Sequence, residues 1–473
     1  MLYHEPDHDQ AQYWIVARDM NLSELFTFLR FSGHPALWFF ILMPFAKTGM
    51  SFFIAGLIHW LLISVAAGVF LFKSPFGIFF KTIFVFSFYM VFEYVVDFRD
   101  YNLTIVLLFF IASLYPVRFE NKILFSSLVF FLFNSNLHSF GAAIALLGVY
   151  VFESYYENKL KQRILPIAIM FLGFATLVLQ LFPSSTSSLN ASVSSHILPP
   201  ININSVWAIL TDVQNAFIPV APQYEELKVA LLFFAFLLLI LISFSNKKYA
   251  FAFVLISIGW LLYLFSAVQS GGARHEGLIL VFIIFSLWIQ SYYPDKENYF
   301  SKTISGFIPL PYLNLTVKIF LSICLIINVV FGIRTLQKEF KYSFSGAKEA
   351  GQFISKNIPD NTAIACYTSY RATAVAPYIS NRRLWFADRK EYGTYFLLDS
   401  IYAKIGDNLP EEEVLERCKT EFGKESSAFL MVNKPLSERS ANEYSAKLLF
   451  ENKIHVWETT ELFWIYQISF LRE

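Results

Sequence analysis

The sequence predicts a polytopic all-α membrane domain followed by a small α/β domain. Three observations predict it. Of 473 residues, 56% are hydrophobic and 19% aromatic. Only 15% are charged, against about 25% in soluble domains, so a water-soluble core cannot hide the apolar surface. Apolar runs near bilayer-spanning length recur as far as residue 336, after which the composition is that of an ordinary soluble domain.

Residues 1–34 are polar at first and form a first loop, 35–336 the multi-helix membrane domain, and 337–473 a soluble tail. Apolar runs occupy roughly 35–72, 76–96, 101–116, 122–153, 164–183, 227–245, 249–268, 276–291 and 315–336, each near the length a spanning helix needs. The first run contains a short apolar piece ending near Lys47-Thr48-Gly49, read as half-buried or re-entrant, and then a full-length helix. The run 122–153 is broken at Asn134-Ser135-Asn136-Leu137-His138 into two shorter helices. The total is about 10 to 11 membrane helices. Between 184 and 226 lies a Ser-, Asn- and Pro-rich loop. In the tail, Ala347 to Lys356 and Glu411 to Phe422 have helical periodicity, while Thr362 to Cys366, Ala428 to Val432 and Leu462 to Ile468 read as strands.

Short cytoplasmic loops collect Lys and Arg, and here the basic connections fall at every second loop. They are Lys73 with Lys81, Arg118 with Lys122, Lys159 with Lys161 and Arg163, Lys247 with Lys248, and Lys296 with Lys302. Placing these in the cytoplasm sends 1–34, 97–101, 134–139, 184–226, 269–275 and the tail to the opposite side. The net charge of +1 argues against a nucleic-acid partner, which needs a concentrated excess of cations. The three cysteines show neither a CxxC pair nor the density of a disulfide scaffold. The first thirteen residues, MLYHEPDHDQAQY, have neither the basic nor the apolar region of a cleavable signal peptide.

Ionisable groups near a bilayer are costly to bury, so their clusters mark candidate sites. Four loops assigned to one side carry them: His4, Glu5, Asp7, His8, Asp9, Arg18, Asp19 and His34; Asp97, Arg99 and Asp100; His138; and Arg274, His275 and Glu276. Blander roles also suit them. Asp7 and Asp9 fit a solvated polar terminus, Arg274 an interfacial anchor, and His34 and His138 structural positions. His4 and His8 with Asp7 and Asp9 have the residue types of a metal site but no helical spacing that enforces its geometry. No metal site is therefore assigned.

The run Asp9-Gln10-Ala11-Gln12-Tyr13-Trp14, then Ala17-Arg18-Asp19 and Gly33-His34-Pro35-Ala36-Leu37-Trp38, resembles the first external loop of the GT-C membrane glycosyltransferases. The nearest branch is the bacterial one similar to protein O-mannosyltransferases and lipid A aminoarabinose transferases. Arg99-Asp100-Tyr101, Arg274-His275-Glu276-Gly277 and Tyr342-Ser343-Phe344-Ser345-Gly346-Ala347-Lys348 extend the resemblance over nearly the whole chain. Each motif is short, and their order carries the likeness. The family pattern is Asp-Glu-Ala, so Asp9 aligns with its catalytic base and Gln10 stands in place of the glutamate. The family also has a membrane helix before this loop, which implies a start placed late or a truncated chain.

The resemblance implies a GT-C fold in a bacterial inner membrane, with the tail extracytoplasmic. It implies inverting transfer of a sugar from a polyprenyl-phosphate carrier to a glycan, lipid or protein acceptor. Such transfer needs a carboxylate to take the acceptor's proton and cations to stabilise the departing phosphate. Asp9 suits the first role, with Asp100 orienting the acceptor or holding Arg99; Arg274, His275, Arg99, His34 and His138 are candidates for the phosphate side. No cofactor is required by the sequence, and members of the family differ in whether a divalent metal assists. The alternative is a transporter or flippase for a lipid-linked saccharide, whose polar site would sit near the midplane among broken helices and inverted repeats.

Overall fold

The structure, a computed structural model, describes residues 4–188, 203–219, 226–267, 271–295, 301–303, 306, 309–380, 382–406, 408–423, 427–457 and 461–470. The polar first segment is helical. Asp7 caps α1 (His8–Asp19) through a capping box with Gln10, and Asn21 caps α2 (Leu22–Ser32) through one with Glu24, satisfying backbone donors that the first turn leaves unpaired. Gly33, at φ 71°, ends α2 in a conformation that favours glycine.

A helical domain follows as α3 (Leu37–Ala46), α4 (Phe53–Lys73), α5 (Ile78–Val85), α6 (Tyr101–Leu114), α7 (Lys122–Phe133), α8 (Phe140–Tyr156), α9 (Ile164–Leu181), α10 (Ile203–Phe217), α11 (Leu227–Ser243), α12 (Lys248–Ala267), α13 (Ala273–Gln290) and α14 (Leu310–Lys341). Among the described residues, six helices are long and apolar enough to cross a membrane, and four apolar helices are shorter. The six are α4, α8 with its preceding turn, α9 with its preceding turn, α12, α13 and α14. Helix α13 is buried almost throughout, whereas Trp60 and Leu61 of α4, Leu172 and Leu179 of α9 and Ile319 of α14 point outward, as lipid-facing side chains do.

Two expectations are corrected. The run 76–96 is not one helix: α5 stops at Val85 and a π-helical turn spans Tyr89–Glu93. Tyr89 in this turn and Tyr94 just after it pack against Gly277 of α13. The loop 184–226 contains α10, whose Leu210, Val213, Ala216 and Phe217 are buried; 189–202 and 220–225 lie outside the described residues, as does Lys296.

The basic loops share one end. Arg118 forms a two-pronged pair with Glu153 at 2.7 to 3.1 Å, and Tyr293 donates to the same carboxylate at 2.8 Å. Arg163 bonds Glu157 at 2.7 Å and lies over Phe119, while Lys247 donates to the carbonyls of Gln290 and Tyr293 at 3.1 and 2.7 Å. The helices carry the remaining loops away from this end to the tail.

The tail comprises α15 (Ala347–Asn357), β1 (Ile364–Cys366), α16 (Ser369–Ala372), β2 (Leu384–Phe386), β3 (Glu391–Gly393), α17 (Ser400–Ile405), α18 (Glu411–Phe422), β4 (Ser427–Val432), α19 (Glu438–Glu443), β5 (Lys447–Glu451) and β6 (Trp464–Ser469). Six strands form one mixed sheet in the order β3-β2-β1-β4-β6-β5, with β1 parallel to β2 and β4. Helices and apolar cores cover both faces of the sheet. Cys324, Cys366 and Cys418 are free and buried. The tail docks on the first segment: Gln12 exchanges two 3.1 Å hydrogen bonds with Phe396, Thr394 donates to Asp19 at 2.6 Å, and Arg18 donates to the Ser380 carbonyl at 3.1 Å.

Candidate functional site

Between the tail and the helix ends lies a cavity of about 340 Å³, lined by Asp9, Tyr13 and His34 from the first segment, Arg99, Arg274 and His275 from the helical domain, and Tyr370, Phe396 and Tyr402 from the tail. Capping by Asp7 starts α1 so that Asp9 falls in its first turn. The 97–101 loop delivers Arg99 from between the π turn and α6, and Arg274 opens α13.

Arg99 is fully committed. Its Nε donates to Asp97 at 3.1 Å, one terminal nitrogen to Asp9 at 2.6 Å and the other to Asp7 at 3.0 Å. A buried guanidinium needs such partners, because an unpaired buried charge is costly. Arg274 has slack. It reaches Asp97 at 3.3 Å and Asp9 only at 3.8 Å, and its Nε is buried with no hydrogen-bond partner among the described residues. Of the two arginines, Arg274 is the less tightly held.

Burial favours the neutral acid at Asp9, but Arg99, His8 and Arg274 outweigh it and hold the carboxyl well below the usual range. Burial likewise opposes ionisation of Asp97, and Arg99 and Arg274 again prevail and lower it. At Asp7 burial wins over Arg99 and raises the carboxyl. Asp7 is buried and paired, so the solvated-terminus role does not describe it.

Asp100 is fully buried behind the cavity. Its oxygens accept from Tyr13 at 3.3 Å and from His34 Nδ1 at 3.0 Å, so it holds two residues that line the cavity, and the ion pairs of the Arg99 side chain among the described residues go instead to Asp7, Asp9 and Asp97. His275 accepts the Gly272 N–H on Nδ1 at 3.0 Å, which leaves Nε2 to carry the proton and donate to Tyr101 at 2.7 Å. It is therefore a neutral imidazole and adds no cation. His138 stacks on His275 at 4.6 Å and donates from Nδ1 to Asn136 at 2.7 Å; it supports the His275 ring.

His8 and Asp97 belong to the ionisable clusters the sequence marks, whereas nothing in the sequence singles out Glu461 or the contacts of Gln10. Gln10 donates to Asp97 at 2.8 Å and accepts from the Asp7 N–H at 3.0 Å. His4 points its two ring nitrogens at Glu339 and Gln10, at 2.8 and 3.0 Å, while His8 turns to Glu461 at 2.5 Å. The two histidines thus face different partners, and among the described residues no three His, Cys, Asp or Glu side chains converge as metal ligands would.

Beside the cavity runs a second, apolar one of about 720 Å³, lined by Phe26, Leu37, Phe40, Phe130, Phe131 and Leu179 with Arg30 among them. The two flank the Gly33-His34-Pro35 turn, since His34 lines one and Ala36 the other. Comparison of the chain with protein-family models, with curated proteins and with solved structures finds no match.

Proposed function

We propose that the chain is a membrane glycosyltransferase of GT-C type, moving a sugar from a polyprenyl-phosphate carrier to an extracytoplasmic acceptor with inversion. The observation that carries it is the meeting of Asp9, Arg99 and Arg274 from three distant segments in one cavity beside an apolar groove. The groove seats the prenyl chain, Arg274 turns to the phosphate, and Asp9 receives the proton of the acceptor hydroxyl. That hydroxyl oxygen attacks the anomeric carbon as the bond to phosphate oxygen breaks, and the carrier leaves as prenyl phosphate. Arg forks suit phosphate oxygens in a way a Lys does not.

A carboxylate held far below its usual range is a weak base. Drawing Arg274 away to phosphate removes one of the cations that hold Asp9 down, so donor binding makes Asp9 more basic when the acceptor arrives. Asp100 serves as a positioning residue for His34 and Tyr13. The proposal includes about 10 to 11 membrane helices, a bacterial inner membrane and an extracytoplasmic tail. A transporter reading has less support, because the charges gather at the helix ends beneath the tail, whereas transporters place them near the midplane.

The test is turnover and binding of synthetic prenyl-phosphate sugars by purified variants that retain their fold. Asp9→Asn should lower turnover about 10²- to 10⁴-fold and leave donor binding intact. Arg274→Ala should weaken donor binding by about 1.5 to 3 kcal/mol. Full turnover in Asp9→Asn, or unchanged donor affinity in Arg274→Ala, would refute the respective role.

A further inference from the structure

The base assigned to Asp9 sits on a helix whose first turn is held by the tail. Glu461, fully buried, places a single oxygen, Oε1, within 2.9 Å of the His8 backbone N–H and 2.5 Å of its Nδ1. The backbone N–H is one of those that an α-helix leaves unpaired at its start, and a carboxylate there also meets the positive end of the helix dipole. The Tyr370 ring, also from the tail, lies 4.1 Å from the His8 ring. The remaining ring nitrogen, Nε2, is buried with no hydrogen-bond partner among the described residues and faces Asp9 Oδ1 at 3.6 Å.

Resting on the function proposed above, we infer that Glu461 is a positioning residue that holds His8 against Asp9, so that the tail sets the orientation of the catalytic carboxylate. Two protons are needed for the ring to serve both neighbours, one toward Glu461 and one toward Asp9. Burial opposes the charged ring, but Asp9, Glu461 and Asp7 overcome it and raise His8 to about 9, so His8 is an imidazolium through the neutral range. These three carboxylates, with Tyr370 over the ring and Arg99 paired to Asp7 and Asp9, are the ionisable groups that face it. Asp9 is thereby held from two sides, by Arg99 on Oδ2 and by His8 on Oδ1. Loss of the second hold frees the carboxylate to rotate about its bond to the helix.

The experiment uses the full chain in detergent, with ring nitrogens of histidine labelled for NMR and the His8 signal assigned by its loss in His8→Gln. In the wild type His8 should titrate near 9, and Glu461→Gln should move it toward the ordinary value of about 6.5, with Glu461→Asp in between. Release of prenyl phosphate from synthetic prenyl-phosphate hexoses and pentoses, water serving as acceptor, is measured alongside. Glu461→Gln should lower kcat up to about 100-fold, the scale of a small misplacement of a reacting group, with donor KM unchanged. Introduced into His8→Gln, it should cost nothing further, because its effect passes through His8. A His8 titration that ignores Glu461, or losses that multiply in the double variant, would overturn the inference. If the wild type releases no prenyl phosphate while His8 still follows Glu461, the clamp stands and the transferase reading falls. Wild-type turnover with His8 indifferent to Glu461 gives the reverse.

Discussion

Gln10 stands where the proposed GT-C reading expects a glutamate, and its surroundings favour an amide. The side chain is buried; its Nε2 donates to Asp97 while its oxygen accepts from the Asp7 N–H and from His4. A carboxylate could keep both accepted bonds but not the donated one, and would confront Asp97 across 2.8 Å. Gln10→Glu should therefore destabilise the protein by about 1 to 3 kcal/mol, the cost of stranding a buried polar group. The loss should shrink in acid, where a protonated glutamate regains a donor. Thermal unfolding in detergent at neutral and acidic pH checks this, and an unchanged neutral midpoint would show that Asp97 is satisfied some other way. At this scale the sequence was legible where a charge stood out against an apolar chain. Asp9, Arg99, Arg274, His275 and His34 stood out, and the fold brings them to one cavity. It was silent about the His8 and Glu461 pair, whose partners lie 453 positions apart and which no local pattern can join.

Elements were legible in proportion to their length and regularity. The long apolar helices and the break at Asn134 to His138 stand where composition put them, because a spanning helix needs a sustained apolar run. Helix α10 was missed because Thr211, Asp212, Gln214 and Asn215 dilute its apolar face, and β2 and β3, at three residues each, are too short to show alternation. Nothing in the run 76–96 marks its interruption, which belongs to packing. There the π turn lays Tyr89 and Tyr94 on Gly277 of α13, and Tyr94 donates to the Arg274 carbonyl at 2.8 Å. A methyl group at 277 would meet the Tyr94 hydroxyl at 2.7 Å and collide with the Tyr89 ring. Gly277→Ala should thus cost about 1 to 3 kcal/mol of stability and weaken donor binding by shifting the turn that carries Arg274. Gly259→Ala is the control: nothing lies within 4 Å of its new methyl, and alanine in a helix interior gains up to about 1 kcal/mol over glycine. Equal thermal midpoints for the two variants would mean that the π turn gives way without cost.

For the whole molecule, the alternation of basic loops and the contacts of the structure point to the same two-ended arrangement from separate grounds. Arg118, Glu153, Arg163, Lys247 and Tyr293 interlock at one end, and the loops bearing Asp9, Arg99 and Arg274 meet the tail at the other. A chain of this composition cannot move a charged end through the bilayer cheaply, since each centrally placed Lys or Arg costs about 2.5 to 3.5 kcal/mol on insertion scales. Sidedness, once set during insertion, is therefore locked. Single cysteines placed at Lys159, exposed in the basic end, and at Thr186 and Glu391, exposed at the tail end, should report it in a chain whose buried native cysteines have been replaced. In intact cells a membrane-impermeant maleimide should label Thr186→Cys and Glu391→Cys and spare Lys159→Cys until the membrane is opened. Labelling of all three in sealed cells would deny that the helices cross a bilayer. Labelling of Lys159→Cys alone would invert the topology, place the Asp9 cavity in the cytoplasm, and leave a polyprenyl-phosphate donor facing the wrong side for an extracytoplasmic acceptor.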